Sequence, residues 1–424
     1  MLFKLGLWWR RLKSKLWLRP ALASLFSMSV AGFALWFGRS YDGRFDIEID
    51  ENSLVSLLTI FASSMLSVAT FTVSAIVTAA SSVSKSTTPR ASQFVLSDSK
   101  AQLVLSAFIA TFIYAIVGIL SLRALHFGHA GRFVLFMGLI VIVTFVLVAF
   151  INWVDHAIKL GRQGTIISKL SEAALNTMTP EIVGTFGAHS WDGEIPNDCQ
   201  ALYPASYGYV VGVDVITLQQ QAEKANVHII VATRPGEVAD RTTPIAYITP
   251  AQAADGNLLQ LVENSIALDT KRHPEEDMRY NLLNLAETAD RALSPSINDP
   301  GTAINIMNIQ MQILARWAEI HSQGDCFNVV HDRISVLPIT AEELVNDSFT
   351  PIARDGASIV EVGVRLQKIL QALMRIGDED LTEAAQNMSK TALELANKAL
   401  ISGEHRHRVS KAASTLGPRF LPRG

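Results

Sequence analysis

The sequence predicts an α-helical membrane domain of four transmembrane helices plus a large cytoplasmic α+β region. Charged residues make up only 18% of the 424 residues, and hydrophobic residues make up 49%. An ordinary soluble domain has about 25% charged residues, and almost all of the deficit here falls before residue 154. The rest of the chain has the composition of a soluble protein. This length allows a membrane domain and one or two soluble domains.

Four apolar stretches are long enough to cross a bilayer, which takes roughly 20 helical residues. They cover residues 18–38, 53–82, 101–122 and 133–153. The apolar run of the first stretch, residues 20–37, follows six basic residues, as a signal peptide does, but it is too long and lacks a small-residue cleavage site. We therefore expect it to be retained as an anchor. Before it, residues 1–17 mix basic residues with tryptophans and predict an amphipathic helix on the anionic inner leaflet.

Lysine and arginine set the expected orientation, because short basic loops stay in the cytoplasm. The N-terminal segment and the loop 83–100 are basic and should be cytoplasmic, whereas the loop 39–52 and the turn 126–132 should be external. Both termini would then lie in the cytoplasm, with the helices in a bacterial inner membrane. The external loop should gather cations at an outer mouth through its acidic residues, which are Asp42, Asp46, Glu48, Asp50 and Glu51.

The second apolar stretch carries a stripe of hydroxyl side chains. Its members recur every three or four residues, which is the period of an α-helix, so they share one face. A helix over 54–82 would rise roughly 43 Å at about 1.5 Å per residue, more than the roughly 30 Å of a bilayer core. The hydroxyl stripe consists of Ser56, Thr59, Ser63, Ser67, Thr70, Ser74, Thr78 and Ser81.

Two interpretations of the hydroxyl stripe are open. Small hydroxyl residues let membrane helices pack closely and can bond to their own carbonyls, which would make the stripe structural. Alternatively, the hydroxyls line an aqueous path and replace water around a permeant solute. Either interpretation places the second helix at the centre of the helical bundle or of an oligomer.

The chain after the fourth apolar stretch divides into further segments. Helix four should continue as a stalk to about residue 178, because the helical pattern of apolar residues persists. Helical patterns dominate after residue 250. The predicted domains are a transmembrane domain at 18–160, a stalk and loop at 161–204, a small α+β module at 205–250, a helical cytoplasmic domain at 251–403 and a basic tail at 404–424.

The small module combines strands and one short helix. Alternating residues predict a strand at 208–214, and two more strands at 227–233 and 243–249 flank the turn 234–237, which reads Arg-Pro-Gly-Glu. The module is similar to half of a biotinyl/lipoyl-type barrel, although no modifiable lysine lies at the hairpin tip. The predicted helices are 216–225, 251–268, 277–293, 301–322, 356–376 and 379–402, with a strand or hairpin at 326–337.

The sequence lacks the signatures of common enzymes. No P-loop, dinucleotide-binding glycine motif, HExxH or GxSxG occurs. The two cysteines, Cys199 and Cys326, have neither zinc-site spacing nor the pattern of a disulfide framework. We expect a protein that is not an enzyme and uses no cofactor or metal. Its partners would be membrane lipid and further copies of itself, and nucleic acid is not expected.

The most distinctive local sequence is a helix–turn–helix corner at 292–303. Asp299 can cap the helix that follows, with Pro300 at its first position, where a missing N–H costs nothing. Free amides at that helix start, with Asn298 and Thr302, could instead form a polar site for an anion. The structural interpretation is favoured. Elsewhere, His156 lies just below helix four and is a candidate pH-sensitive group at a cytoplasmic mouth, or a residue that simply snorkels at the interface.

Several short stretches carry a resemblance to a known family. The most specific are 291–295 (Arg-Ala-Leu-Ser-Pro) and 297–300 (Ile-Asn-Asp-Pro), and others are 16–21, 63–68, 111–115, 208–210 and 234–236. From about residue 14 to about residue 400, the chain resembles the bacterial predicted membrane proteins known as domain of unknown function twenty-two fifty-four. It departs from the family pattern at Ser296 and Thr242, where glycine is usual, and at 84–88. The resemblance implies a membrane architecture and carries no established activity.

The favoured function is a homo-oligomeric inner-membrane protein that forms a passive gated path. The spans hold no Asp, Glu, Lys, Arg or His except Arg19 at the very start of the first, whereas ion-coupled transporters usually need such a group at mid-membrane. The path would be a cation-preferring channel with a cytoplasmic regulatory domain. The alternative is a non-conducting, membrane-tethered scaffold or sensor whose helices only pack.

Overall fold

A computed structural model of the chain describes residues 18–41, 49–96, 98–125, 128–275, 277–322, 324 and 328–414. The described residues form two compact units. The helical unit comprises residues up to 85 together with 89–166, and the sheet-containing unit comprises 86–88 and the residues from 167. The predicted amphipathic helix at 1–17, the acidic residues Asp42, Asp46 and Glu48, and Cys326 lie outside the described residues.

The helical unit consists of apolar helices. In an apolar membrane core the backbone finds no water, and a helix satisfies its backbone N–H and C=O groups within its own segment. Three of the helices are long and apolar enough to cross a membrane, over Glu51–Lys85, Ser99–Ala124 and His129–Lys159. In the first helix the described apolar segment, Pro20–Ala34, is shorter, so a fourth crossing stays a prediction. The helices are α1 (Leu18–Tyr41), α2 (Glu51–Ser86), α3 (Gln93–Leu96), α4 (Ser99–Leu125) and α5 (His129–Lys159).

The central helix of the described bundle is α4 and not the striped helix α2, so of the two predicted positions for α2 only the centre of an oligomer stays a prediction. Half of the apolar window of α4 is buried, compared with 22% of that of α2. Tyr114 of α4 is fully buried, and its hydroxyl donates a hydrogen bond of 2.7 Å to the carbonyl of Leu135 on α5. This bond satisfies a polar group that would otherwise lie unpaired in an apolar core.

The fourth span was predicted to continue as a stalk helix to about residue 178, and this prediction is wrong. Helix α5 ends at Lys159, and a separate helix α6 (Gln163–Asn176) follows after a short turn. Gly161 lies in that turn, where an added Cβ would stand 3.4 Å from the Cα of Ala79 on α2. The apolar periodicity continues across the break, which is why the sequence pattern did not reveal it.

The sheet-containing unit holds two sheets. One has five strands in the order β1-β8-β4-β6-β2, and the other has three in the order β5-β3-β7. β8 pairs in parallel with β1 and β4, and the remaining pairs are antiparallel. The strands are β1 (Ala188–Ser190), β2 (Gln200–Leu202), β3 (Gly208–Val213), β4 (His228–Val231), β5 (Val238–Ala239), β6 (Ala246–Thr249), β7 (Ile266–Asp269) and β8 (His331–Val336).

The strands of the predicted module at 205–250 pair in part with one another, as β3 with β5 and β4 with β6, and in part with β7, β8 and β2 outside the module. β3 belongs to the smaller sheet while β4 and β6 belong to the larger one, so they do not form the expected half-barrel. β1 and β2 lie in the segment predicted as a loop, and β7 begins within the last residues of the predicted helix 251–268, where the observed helix ends at Ser265. These strands are three or four residues long, which is too short to show an alternating pattern.

Helices complete this unit, and three of them were not predicted: the single turn α7 (Pro180–Val183), α12 (Ala341–Asp355) and α15 (Gly403–Ser414). Helix α12 is preceded by Thr340 and contains Pro351, a residue that usually argues against a helix interior. A Thr-x-x-Glu capping box at Thr340 and Glu343 marks its start and was the available signal. The helices are α7 (Pro180–Val183), α8 (Val215–Ala225), α9 (Gly256–Ser265), α10 (Met278–Leu293), α11 (Pro300–Ser322), α12 (Ala341–Asp355), α13 (Val360–Met374), α14 (Glu379–Ala399) and α15 (Gly403–Ser414).

We predict that Gly138→Ala destabilises the helical unit. An added Cβ at Gly138 would overlap the Tyr114 hydroxyl and displace it from the Leu135 carbonyl. Overpacking of this kind costs about 1–3 kcal/mol. Gly32→Ala is the matched control, because no atom lies within 4 Å of its added Cβ. Thermal unfolding in detergent measures both, and an equal melting temperature for the two variants would contradict the prediction.

Candidate functional site

The hydroxyl stripe lies on the outer face of α2. All eight stripe residues are exposed in the monomer. The buried residues of the same helix, among them Leu58, Ala69 and Ile76, recur with helical spacing on the opposite face. The stripe therefore does not pack against the other helices of its own described bundle.

Close packing of α2 within the bundle is provided by other small residues. Ala62, Ala69 and Ala80 are buried on its inner face. Across the contact, a Cβ added to Gly118 of α4 would stand 3.2 Å from Leu58 of α2. Small residues at a contact let helix backbones approach one another. Within one chain the packing interpretation thus fits the alanines rather than the hydroxyls.

Several stripe hydroxyls donate to the backbone of their own helix. Thr59 donates to the carbonyl of Val55 at 2.7 Å, Ser67 to that of Ser63 at 3.0 Å, and Thr70 to that of Leu66 at 2.9 Å. Such bonds satisfy the hydroxyl proton and leave the oxygen able to accept a further hydrogen bond. The stripe is therefore a row of acceptors along an exposed helix face.

The two described acidic residues of the predicted outer mouth have local partners. Asp50 accepts hydrogen bonds of 2.8 Å from both the backbone N–H and the hydroxyl of Ser53. Asp50 thereby caps the start of α2. Glu51 pairs with Arg132 at 2.8 Å. Because that charge is neutralised, Glu51 adds little to an attractive field for cations.

His156 contacts a carboxylate that the sequence analysis did not single out. Its Nε2 lies 2.8 Å from Oδ1 of Asp98, a buried residue that also accepts from the backbone N–H of Ala101 at 2.9 Å. Asp98 therefore caps α4 and binds the end of α5 at once. The residues Ser-Asp-Ser at 97–99, just before the apolar stretch that starts at 101, were the available signal, because they are typical of a helix start.

The corner at 294–299 has the geometry of a structural cap. The hydroxyl of Thr302 donates to Oδ2 of Asp299 at 2.6 Å, and its backbone N–H donates to Oδ1 at 3.1 Å. These hydrogen bonds lower the pKa of Asp299. Asn298 is exposed and has a φ of 48°, a left-handed conformation that asparagine tolerates. Asp299, Asn298 and Thr302 are thus brought together, and the carboxylate of Asp299 occupies the helix start where an anion would bind.

The turn 234–237 holds an ionic network at the centre of the sheet-containing unit. The Arg234 guanidinium is buried and contacts Glu237 and Glu343 at 2.8 Å each. Arg279 of α10 joins the same Glu343 at 2.8 Å and also contacts Asp347 at 2.7 Å. One turn thereby connects the sheets to the first turns of α10 and α12.

The charges in this network stabilise one another. Burial alone would raise the pKa of Glu343, but hydrogen bonds from Arg234 and Thr340 and the nearby positive charges outweigh it and lower the pKa. Ionised Glu343, paired with Arg234, therefore stabilises the fold at pH values above the ordinary pKa of a glutamate. This contribution is lost as the pH falls through the lowered pKa.

The backbone conformation and the close neighbours of Gly236 explain why this position of the turn needs a glycine. Its φ is 96°, in the left-handed region. An added Cβ would overlap the carboxylate of Asp277 and the guanidinium of Arg272, which pair at 2.7 Å. Asp277 also caps α10 by accepting from the backbone N–H of Tyr280 at 2.9 Å. The turn backbone thus approaches this second ion pair closely.

A cleft of about 400 Å³ lies elsewhere in the sheet-containing unit. It is lined by the acidic residues Glu342, Asp380 and Glu383, together with His321. His321 is held by Asp378 at 2.7 Å and stacks on Trp317 with ring centroids 4.4 Å apart. Within the described ranges, no group of three histidine, cysteine, aspartate or glutamate residues could hold a metal ion.

Residues 13–372 match the family described as "Predicted membrane protein (DUF2254)". Two curated relatives, an uncharacterized protein of Mycobacterium bovis and one of Mycobacterium tuberculosis, are each 25% identical to the chain over 303 residues. The match covers 69% of this chain and 56% of each relative, so the chain spans little more than half the length of these relatives. No solved structure matches the chain.

We predict that Asp299→Ala lowers the free energy of unfolding by about 0.5–2 kcal/mol through loss of the cap on α11. Asn298→Gly is the neighbouring control, because glycine adopts the left-handed backbone without strain. Chemical unfolding of both variants measures the difference. If Asp299→Ala unfolds like the unaltered protein but loses the protein's function, the corner would instead be a ligand site.

Arg234→Lys should destabilise the sheet-containing unit by about 1–3 kcal/mol, the cost of leaving buried polar groups unsatisfied. A lysine keeps the charge but cannot hold two carboxylates with paired hydrogen bonds, as the guanidinium does. Arg241→Lys is the control, because Arg241 lies at the surface over the Tyr207 ring. Unfolding curves that coincide for the two variants would show that the ionic network around Arg234 is not needed for the stability of the sheet-containing unit.

Proposed function

The chain belongs to the DUF2254 family of predicted membrane proteins, and on that premise we propose that several copies assemble in a bacterial inner membrane to form a passive gated path. The observation that carries this proposal is the exposure of the whole hydroxyl stripe on α2. A row of hydroxyls gains little from lipid, because lipid tails offer no hydrogen bond. Facing other copies around a shared axis, the same row would meet water.

The spans support a passive path rather than a coupled transporter. The three described spans contain no aspartate, glutamate, lysine, arginine or histidine between residues 53 and 82, 101 and 122, or 133 and 153. Proton- and ion-driven transporters usually place such a group at mid-membrane. A solute that crossed along α2 would meet hydroxyl oxygens, which can replace part of its hydration shell.

The assembly we propose has four crossings per copy, with both termini in the cytoplasm. Helix α1 would supply the fourth crossing, because its apolar run lies between a basic leader and an acidic loop. The sheet-containing unit would then be a cytoplasmic regulatory domain. A cation preference would depend on Asp42, Asp46, Glu48 and Asp50, since Glu51 is paired with Arg132.

Conduction through planar bilayers tests the path. The purified protein should pass small cations in preference to anions. Ser67→Leu or Thr70→Leu should strongly reduce the current, because leucine narrows and dewets the path. Ser64→Leu is the matched control: Ser64 is also an exposed serine of α2, but it lies about 100° around the helix from Ser63 and off the stripe. Its current should equal that of the unaltered protein.

Thiol labelling distinguishes the path from mere packing. In a background without Cys199 and Cys326, cysteines at Ser63, Ser67 and Thr70 should react with a small charged reagent. Cysteines at Leu66 and Val73, which lie off the stripe, should not. If assembled protein passes no current over a range of pH, voltage and tension, and all five positions are protected, the proposal fails. The protein would then be a membrane-tethered scaffold or sensor.

A further inference from the structure

The two faces of the larger sheet differ in chemistry. Strands β1, β4 and β8 point core residues to one face, among them Ala188, Ile229 and Ile334. Successive residues of a strand point to opposite faces, so the residues next to these three lie on the outer face. The outer face thus carries a polar group of side chains, here called the histidine cluster. It consists of His189 of β1, His228 of β4, and Arg333 and Ser335 of β8.

Ser335 stands between the two histidines, because β8 lies between β1 and β4. It is the register partner of His189 on one side and of Ile230 on the other. The hydroxyl of Ser335 lies 2.8 Å from Nε2 of His228, and the rings of the two histidines have centroids 6.3 Å apart. Ser335 is only 8% exposed, whereas His189 is exposed and Arg333 is partly buried. The cluster therefore has a buried hydroxyl at its base and is open to solvent.

The guanidinium of Arg333 has no protein counter-charge. Among the described residues, its side chain forms no hydrogen bond or ion pair. The carboxylate next to it in sequence, Asp332, lies on the other face of β8 and accepts from Nε2 of Gln219 at 2.7 Å. By contrast, Arg234 and Arg272 of the same unit each pair with a carboxylate. Five N–H donors of Arg333 are therefore available to a ligand or to water.

The electrostatics of the histidine cluster favour an anion. Burial lowers the pKa of His228, and the positive charges of His189 and Arg333 lower it further. Asp332 has a smaller effect in the opposite direction. Like charges that repel one another are stabilised when a negative charge lies among them. A metal cation would instead meet the permanent charge of Arg333, so the cluster does not suit a metal ion.

Ser335 and His228 also have the spacing of a nucleophile and its base. In known pairs of this kind a third group orients the base. No described carboxylate hydrogen-bonds to the ring of His228, and the serine lies within a strand with little exposure. The arrangement therefore supports binding rather than nucleophilic catalysis.

We propose that the histidine cluster binds a tetrahedral oxyanion of the phosphate class. Arg333 holds two oxygens of the anion with paired N–H donors, as guanidinium groups do with phosphates. When Nε2 of His228 donates to the oxygen of Ser335, the hydroxyl proton of Ser335 is free to donate to a third oxygen. His189 adds a donor at the exposed edge. The site lies wholly within the sheet-containing unit, so it does not depend on whether the protein conducts.

Titration calorimetry of the full chain tests the proposal with sulfate, a tetrahedral dianion whose charge does not change near neutral pH. A maltoside detergent, which carries no phosphate or sulfate, keeps the protein in solution, and chloride keeps the ionic strength constant. At about pH 6, below the ordinary histidine pKa of about 6.5, sulfate should bind saturably. Arg333→Gln and Ser335→Ala should each weaken binding about tenfold or more, because each removes a hydrogen bond to a charged ligand.

Variants matched in charge separate a built site from general attraction. Arg365→Gln removes the same charge from an exposed arginine of α13 and should bind sulfate like the unaltered chain. Arg333→Lys keeps the charge without the paired donors and should bind with intermediate strength. Melting curves check that every variant is folded. If the unaltered chain shows no saturable binding, or if Arg333→Gln and Arg365→Gln weaken it equally, the proposal is wrong.

Inorganic phosphate and glycerol phosphate then identify the source of the anion. Tighter binding of inorganic phosphate would indicate a free anion, and tighter binding of glycerol phosphate would indicate the phosphate group of a larger molecule, such as a lipid headgroup. Either result supports the site, provided that Arg333→Gln weakens the binding. Phosphate binding that is unchanged in Arg333→Gln would place the anion elsewhere and overturn the proposal.

Discussion

The buried guanidinium of Arg234 is the interaction on which the sheet-containing unit depends. It joins the turn after β4 to the capping glutamate of α12, and that glutamate also binds Arg279 of α10. A buried arginine is costly unless every donor has a partner, and here two carboxylates and the Pro338 carbonyl supply them. The glycine beside it lets the turn approach a second ion pair. Two sheets and two parallel helices are thereby set in one arrangement.

The helical unit is organised by a division of small residues between the two faces of α2. Alanines lie on the inner face, where they permit close contact with the other helices, and hydroxyls lie on the outer face. A single chain needs only the first face to fold. The second face has no role within the described bundle, and this is the reason for placing it against further copies and water in the proposed assembly.

Helices α10 and α12 run parallel, with ion pairs at both ends of their contact. At one end the charges of Arg279 and Glu343 are paired and stabilise the ionised forms. At the other end Asp290 and Asp355 share the guanidinium of Arg354, whose side chain is 62% exposed. Exposed ion pairs contribute little to stability, so the buried apolar residues near the ends of these helices, among them Leu293 and Ile352, contribute more there.

The apolar helices, the shared face of the hydroxyls and the cap at Asp299 could be predicted from the sequence, because each depends on residues within a few turns of one another. The central position of α4 in the described bundle could not, since the burial of a helix depends on neighbours far along the chain. The same holds for Asp98 beside His156, for the short strands that join the larger sheet, and for Arg354 between Asp290 and Asp355. Periodicity reveals which side of a helix is distinct, whereas long-range contacts decide what that side meets.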